Sequence, residues 1–329
     1  MTRQRQDDGA AYLRLLLAMG ALLAVLCALS LLIGAGSIGL PQRALWLILS
    51  EIRLPRTLLA LLIGGALGLS GAALQGYLRN PLAEPGIIGI SGGAGLGAVI
   101  AIHLGLTQVV PLALPLAGMS GALVATSLVL LLAGERGGPL TLILAGVAIA
   151  NVAAALISLA LSLSANPFAA VEIVFWLLGS LADRSMVHVG LATPAVVLGC
   201  GILLRLGPSL DALSLGEDVA ESLGADMRRS RYVLVVGTAL AVGAATAVAG
   251  TIGFVGLIVP HVLRPLVGAR PSRLLVASLL GGAILVLAAD IAVRLLAPGG
   301  ELRLGVLTAI LGTPLFVWLV VKTRRELAP

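Results

Sequence analysis

Charge, aromatic rings, histidine, cysteine and above all lysine are scarce in this chain. Charged residues make up 11% of 329 positions and aromatics 3%, whereas 59% are hydrophobic. Soluble domains carry about 25% charged residues, so composition excludes an ordinary water-soluble protein. The single lysine, Lys322, lies near the C-terminus. A phosphate-binding P-loop needs Gly-x-x-x-x-Gly-Lys-Ser/Thr, so the chain has no nucleotide site of that kind. Cys27 and Cys200 sit in separate apolar runs without partner spacing, which argues against a disulfide framework or a thiolate metal site. His103, His188 and His261 lie far apart, outside any ligand motif, so no metal site is expected. No nucleophile, metal triad or acid–base pair is clustered, which argues against a membrane-embedded enzyme.

What the chain has is long apolar sequence, with a mean hydropathy of +1.11. A spanning helix needs about 20 apolar residues, so this length allows roughly nine to eleven spans. Apolar runs predict spans near 12–34, 55–78, 87–106, 109–133, 140–164, 187–207, 231–250, 252–268, 274–297 and 304–321, with an amphipathic piece at 168–182. The expected fold is an all-α polytopic membrane protein of ten transmembrane helices, a single domain over 1–329. Arg3, Arg5 and Arg14 ahead of Leu15 to Ile33 could imitate a signal peptide. That apolar region exceeds the usual 7–15 residues, so a retained first helix is expected. The formal charge of +6 and pI near 10.3 do not indicate nucleic acid, because the bases are scattered through loops rather than gathered in a patch. With both termini cytoplasmic, the ten spans put fifteen Lys and Arg inside and six outside. That is the bias of the positive-inside rule.

The chain also repeats itself. Arg53-Leu-Pro-Arg56 opens the second span and Arg228-Arg-Ser-Arg231 the seventh. Each is followed by a small-residue-rich apolar run ending at Gly76 or Gly250, and soon after come Gly86-Ile-Ile-Gly89-Ile and Gly253-Phe-Val-Gly256-Leu. An offset of five spans makes spans 2–5 and 7–10 an inverted repeat, which in transporters brackets the pathway.

One stretch stays polar for long. Residues 211–231 carry Asp211, Glu217, Asp218, Glu221 and Asp226, then Arg228, Arg229 and Arg231. Between long apolar runs it is expected to be a water-exposed segment. Gly216 and Gly224 enclose about two helical turns. A short charged helix at the membrane surface suits docking of a soluble partner; the plainer reading is a solvated loop.

These motifs resemble the FecCD-type permeases, the membrane subunits of type II ABC importers for ferric siderophores, haem and cobalamin. The resemblance rests on Arg53-Leu-Pro-Arg-Thr-Leu58, Gln75-Gly-Tyr-Leu-Arg-Asn-Pro-Leu-Ala-Glu-Pro-Gly86 and Gly253-Phe-Val-Gly-Leu-Ile-Val-Pro-His261. Leu144-Ala-Gly-Val-Ala148, Trp176-Leu-Leu-Gly-Ser180, Leu215-Gly-Glu217 and Gly312-Thr-Pro314 extend it along most of the chain. Thr251 and Arg303 stand where the family often has proline. The resemblance implies a homodimer with a central translocation pathway in a bacterial inner membrane. It implies two separate ATPase subunits, which hold the ATP and Mg, and a periplasmic binding protein. No cofactor is expected in this chain.

The resemblance also assigns residues. Leu215, Gly216, Glu217, Asp218, Glu221, Ser222 and Gly224 would couple to the ATPase. Asn80 and Leu82 would form a cytoplasmic gate, with Pro139, Leu140 and Thr141 before the fifth span as a second gate candidate. Arg53, Arg56 and Arg294 would meet acidic residues of the binding protein; interfacial snorkelling is the plainer account. Asn151, Ser158 and Ser162 share one helical face, which Asn166 extends. That face is read as pathway wall, against interhelical glue. Asp290 and Arg294 are spaced as an i,i+4 pair and should neutralise each other. The expected cargo is a ferric chelate, siderophore or haem, with cobalamin as the alternative. His103 or His188 would touch iron only if the cargo is haem. A secondary transporter driven by an ion gradient is the rival of another class. It would need several titratable groups at midplane, and Asp290 is the one clear carboxylate within a span.

Overall fold

The computed structural model describes residues 2–33, 42–134, 137–164, 166–297 and 302–327, and these contain helices and connections but no strand. Helix α1 (Thr2–Leu32) is followed by α2 (Gln42–Ile48), which runs through a π turn, Leu49–Arg53, into α3 (Leu54–Leu78). A 3₁₀ turn, Pro85–Ile88, leads to α4 (Ile90–His103), the single-turn α5 (Leu106–Val109), α6 (Ala113–Ala133) and α7 (Pro139–Ser162). Then come α8 (Pro167–Leu177), α9 (Met186–Leu204), α10 (Gly207–Leu213) and α11 (Glu217–Ser222). The chain continues as α12 (Met227–Ala249), α13 (Val255–Leu263), a 3₁₀ turn at Arg264–Val267, α14 (Pro271–Leu296) and α15 (Leu304–Leu327). Proline occupies the first turn of α3, α7, α8 and α14, where its missing N–H costs nothing and its fixed φ suits helix entry.

Among the described residues, eight helices are long and apolar enough to cross a membrane. The predicted third and eighth spans, 87–106 and 252–268, form shorter helices than their apolar runs suggest: α4 has 14 residues, and α13 has nine, continued by the 3₁₀ turn to Val267. The cause is local backbone. After α3, Arg79 turns left-handed at φ 49, Glu84 is extended, and Gly89 at φ 78 begins α4. After α12, Gly250 at φ 75 ends the helix, and Phe254 at φ 67 begins α13. Each copy of the repeat thus breaks its second helix at the corresponding place.

Packing follows the repeat. α3 lies against α14, and α12 lies against α6, so the first helix of each copy is held by the third helix of the other. The α3–α14 approach is close enough that a Cβ on Gly64 or Gly68 would strike the backbone of Gly282 or Ser278. At the equivalent contact, a Cβ on Gly118 would meet Ala247 and one on Gly243 would meet Ala122. Small residues that let helix backbones touch are what lipid-embedded packing demands. α3 and α12 are therefore central, whereas α1, α7 and α15 keep long apolar faces exposed.

The replacement Gly68→Ala should push α3 and α14 apart and cost about 1–3 kcal/mol. A thermal midpoint of the detergent-purified protein that did not fall would refute this account of the contact.

Candidate functional site

At one end of the bundle, α10 and α11 form a small wedge beneath α14. Asp211 fixes it. Its carboxylate accepts from the Ser272 backbone N–H (2.8 Å), the Ser272 hydroxyl (2.7 Å) and Arg270 Nε (2.9 Å). Partial burial pushes this carboxyl up, but the Ser272 and Arg270 hydrogen bonds outweigh that and hold it below the ordinary aspartate value. In α11, Ala220 is the buried residue, and Glu217, Asp218, Val219, Glu221, Ser222 and Leu223 are exposed. Leu215 and Gly224 are exposed beside them, and Gly216 is half-buried with φ 116. The result is a short acidic helix with Leu215, Val219 and Leu223 uncovered on it.

The expectation that all of 211–231 is water-exposed fails at its ends. Asp211 is engaged as above. Asp226 stays exposed while it caps α12, accepting from Arg229 N at 2.8 Å. Ser230 and Arg231 are buried. Arg231 donates from Nη2 to the Gly134 carbonyl at 2.8 Å and from Nη1 to the Gly137 carbonyl. It thus holds the C-terminal end of α6 and the approach to α7, where Pro139, Leu140 and Thr141 lie. Of these three, Leu140 is exposed and the other two are half-buried.

The segment of Asn80 and Leu82, expected as a gate, folds into a tight turn. Asn80 Oδ1 accepts from Leu82 N at 2.9 Å, closing a tight turn in which both residues are half-buried. Beyond it, Glu84 Oε2 accepts from Phe254 N at 3.3 Å, joining the two backbone breaks. Gly256 sits against Pro85, and a Cβ there would lie 2.6 Å from the proline ring. Gln75 Nε2 reaches the Gly256 and Leu257 carbonyls at 3.3 and 3.4 Å, and its Oε1 accepts from Arg264 Nη2 at 2.8 Å. Sequence reasoning missed Glu84, Gln75 and Arg264 as a group. Polar residues in otherwise apolar segments were the available signal, but their meeting depends on long-range packing.

The polar stripe of α7 is exposed, so it does not serve as glue to another helix described here. Asn151, Ser158 and Ser162 each donate to a carbonyl one turn back, Val147, Ala154 and Ser158, at 2.9 Å. Asn166 does not extend that face, since α7 ends at Ser162. It caps α8 instead, accepting from Phe168 N at 3.0 Å.

At the opposite end of the bundle, the three arginines and Asp290 form a network across α1, α3 and α14. Asp290 is fully buried. Its Oδ1 accepts from Arg56 Nε at 2.8 Å, and its Oδ2 from Arg294 Nε at 2.8 Å and from Arg294 Nη2. Arg294 also donates to the Ser30 carbonyl (2.8 Å) and hydroxyl (2.9 Å), and the Ser30 hydroxyl meets that of Thr57 at 2.7 Å. Arg53, 8% exposed, donates to the carbonyls of Leu31 and Leu32 at 2.8 and 3.1 Å. The i,i+4 pair is present, but it is a triad with Arg56, and Arg53 and Arg294 spend donors on the last carbonyls of α1. His188 takes part in a helix cap, with Nδ1 3.2 Å from Ser185 N, and His103 is exposed beside a cavity of about 310 Å³. Among the described residues, no three or more His, Cys, Asp or Glu side chains gather where they could hold a metal ion.

Residues 16–322 match the model of the FecCD transport family. Among curated relatives, the chain is 40% identical over 317 residues to the vitamin B12 import system permease protein BtuC of Vibrio cholerae, covering 93% of each chain. It is 38% identical over 276 residues to the protein of that name from Citrobacter koseri, covering 84% of this chain and 83% of the relative. A solved structure provisionally described as an inward-facing metal-chelate type ABC transporter superposes with TM-score 0.86 at 35% identity, covering 94% of this chain and 99% of that one.

Asp290→Asn leaves Arg56 and Arg294 without their shared counter-charge. Breaking a buried ion pair from one side costs about 3–5 kcal/mol, so the variant should denature at clearly lower temperature in detergent. Equal midpoints would show that the network adds nothing to the fold. Asp211 gives a pH test. Its lowered folded pKa contributes stability that is complete above about pH 4 and is lost as pH falls through the depressed value. The midpoint gap between wild type and Asp211→Asn should be full at pH 7 and shrink below about pH 4. A gap independent of pH would contradict this.

Proposed function

The chain belongs to the FecCD transport family, and from that premise we propose that it is the membrane permease of a vitamin B12 importer. It is a multi-pass permease subunit of the ABC importer class rather than an enzyme, and membership of this family displaces the secondary-transporter reading. The observation that carries the cargo is the 40% identity to a vitamin B12 import permease along 93% of both chains. This moves the reading from the ferric chelate expected from sequence to a corrinoid. A ferric chelate stays as the second reading because the metal-chelate type neighbour is 35% identical over nearly its whole length.

Two copies would pair in a bacterial inner membrane with both termini cytoplasmic. The exposed apolar faces of α7 and α15 support pairing, and the weakly polar stripe Asn151–Ser158–Ser162, satisfied by its own helix, suits a wall along which a large polar cargo slides. Acidic α11, with Leu215, Val219 and Leu223 uncovered, would seat in a cleft of a separate ATPase. When ATP binding draws two ATPases together, α11 would move and carry the start of α12 with it. Arg231 would then pull on Gly134 and Gly137, displacing the entry to α7 and its gate residues Pro139, Leu140 and Thr141. Asn80 and Leu82 would act as the second gate, steadied by the turn they form. Of the three arginines expected to meet a periplasmic binding protein, Arg56 has the most exposed side chain of those paired with Asp290 and is the best placed.

The cargo is tested by purifying the permease–ATPase complex with its binding protein and recording the visible spectrum of the captured ligand. A corrinoid spectrum is expected; a siderophore charge-transfer band or a Soret band would overturn the cargo. Coupling is tested by reversing Glu217 and Glu221 to Lys. Uptake into vesicles should fall at least about tenfold while ATP hydrolysis persists, the loss of about 1.4 kcal/mol expected when a charged docking contact is inverted. Full transport by that variant would remove α11 from the coupling role.

A further inference from the structure

The end of the bundle that carries Arg56 and Arg294 has a second pair of arginines that the network does not use. Arg184 lies in the connection between α8 and α9, and Arg303 lies just before α15. Both line one cavity of about 410 Å³, together with Phe168, Phe175 and Trp176. Arg303 stacks its guanidinium on the Phe175 ring, 4.7 Å from the centroid. The Nε atoms of both arginines are sealed from solvent and have no hydrogen-bond partner. Asp183 and Glu172 stand exposed at the same cavity, yet neither makes an ion pair with Arg184 or Arg303. Burial disfavours the Arg184 charge, Asp183 favours it and neighbouring Arg303 disfavours it. Two half-buried cations facing one space without a bonded counter-charge are costly unless an anion visits. A planar guanidinium fork matches phosphate oxygens, and the aromatic wall suits an apolar body attached to that phosphate.

We propose that Arg184 and Arg303 form an anion-binding subsite that takes a phosphate-type group carried on an apolar or aromatic molecule. A rim for an acidic protein partner would present its guanidinium groups fully to solvent; half-buried arginines with sealed Nε atoms, beside an aromatic wall, favour a small molecule. Resting on the corrinoid reading above, the group it receives is the phosphodiester of the incoming cargo.

The direct test uses the permease–ATPase complex in phosphatidylcholine nanodiscs with Trp46→Phe and Trp318→Phe, so that Trp176 is the one tryptophan left in this chain. Phenyl phosphate should change its emission saturably and phenol should not. Arg184→Gln or Arg303→Gln should weaken the midpoint by about tenfold, the worth of one charge-assisted hydrogen bond. No phosphate-specific response, or one that both variants keep, overturns the subsite. Adding phosphatidylglycerol should leave the midpoint unchanged; competition would assign the pair to a lipid headgroup and overturn the cargo role.

Uptake supplies the second measurement. The Arg184→Gln, Arg303→Gln double variant should lose about tenfold in cyanocobalamin uptake and less than about twofold in uptake of cobinamide, which lacks the phosphodiester. Equal losses for both would mark a structural role and overturn the proposal. If the wild type moves neither corrinoid, the vitamin B12 reading fails, and the phenyl phosphate titration still decides the subsite.

Discussion

The architecture depends on satisfying broken backbone within a lipid-embedded bundle. Exposed N–H and C=O groups have no water to turn to at that depth, so irregular segments survive only inside protein or beside a wet cavity. Both breaks here solve the problem by meeting each other. Glu84 receives the Phe254 N–H, Gln75 covers the Gly256 and Leu257 carbonyls, and Pro85 packs on Gly256. Phe254 is held left-handed, a conformation that costs a side-chain-bearing residue about 1–2 kcal/mol, and its ring lies against Gly312 of α15. The two halves of the repeat are therefore locked at the point where each is weakest alone.

Most of the architecture was legible in the sequence because lipid imposes simple rules. Apolar length located eight full helices, and the paired Arg-x-x-Arg openings located the repeat. The third and eighth spans are shorter as helices than their apolar runs, because apolar composition continues through backbone that is not helical. Gly89 and Phe254 set the breaks, and nothing in hydropathy distinguishes an apolar residue held left-handed from a helical one. The exposure of α11 was legible, because a charged stretch between long apolar runs has to reach water. The candidate site was illegible where polar residues are consumed internally. Arg53 and Arg294 looked available because their bonds to the end of α1 span more than twenty and more than two hundred positions. Asn166 shared the register of the α7 stripe only on paper, since the helix stops four residues before it.

Arginine recurs at the openings of α3 and α12 with a shared task, although Arg53 is the first and Arg231 the last residue of its Arg-x-x-Arg run. In the first copy, Arg53 donates to the last carbonyls of α1. In the second, Arg231 donates to Gly134 at the end of α6. An arginine at the start of one helix thus closes the unsatisfied end of a neighbour, and the inverted arrangement places one such closure at each face of the bundle.

The two closures differ in what they fasten, and that difference gives the bundle a direction. At the Arg56–Asp290–Arg294 end, charges bind helix to helix through a fully buried carboxylate, so displacement there would expose an uncompensated ion. At the Arg231 end, the guanidinium binds the Gly134 and Gly137 carbonyls on the approach to α7, and bonds to neutral carbonyls are exchanged for water at less cost than a buried ion pair. If α11 couples to an ATPase as proposed, a force applied through it would meet a stiff anchor far away and a looser contact close by, so the entry to α7 would yield before the opposite end.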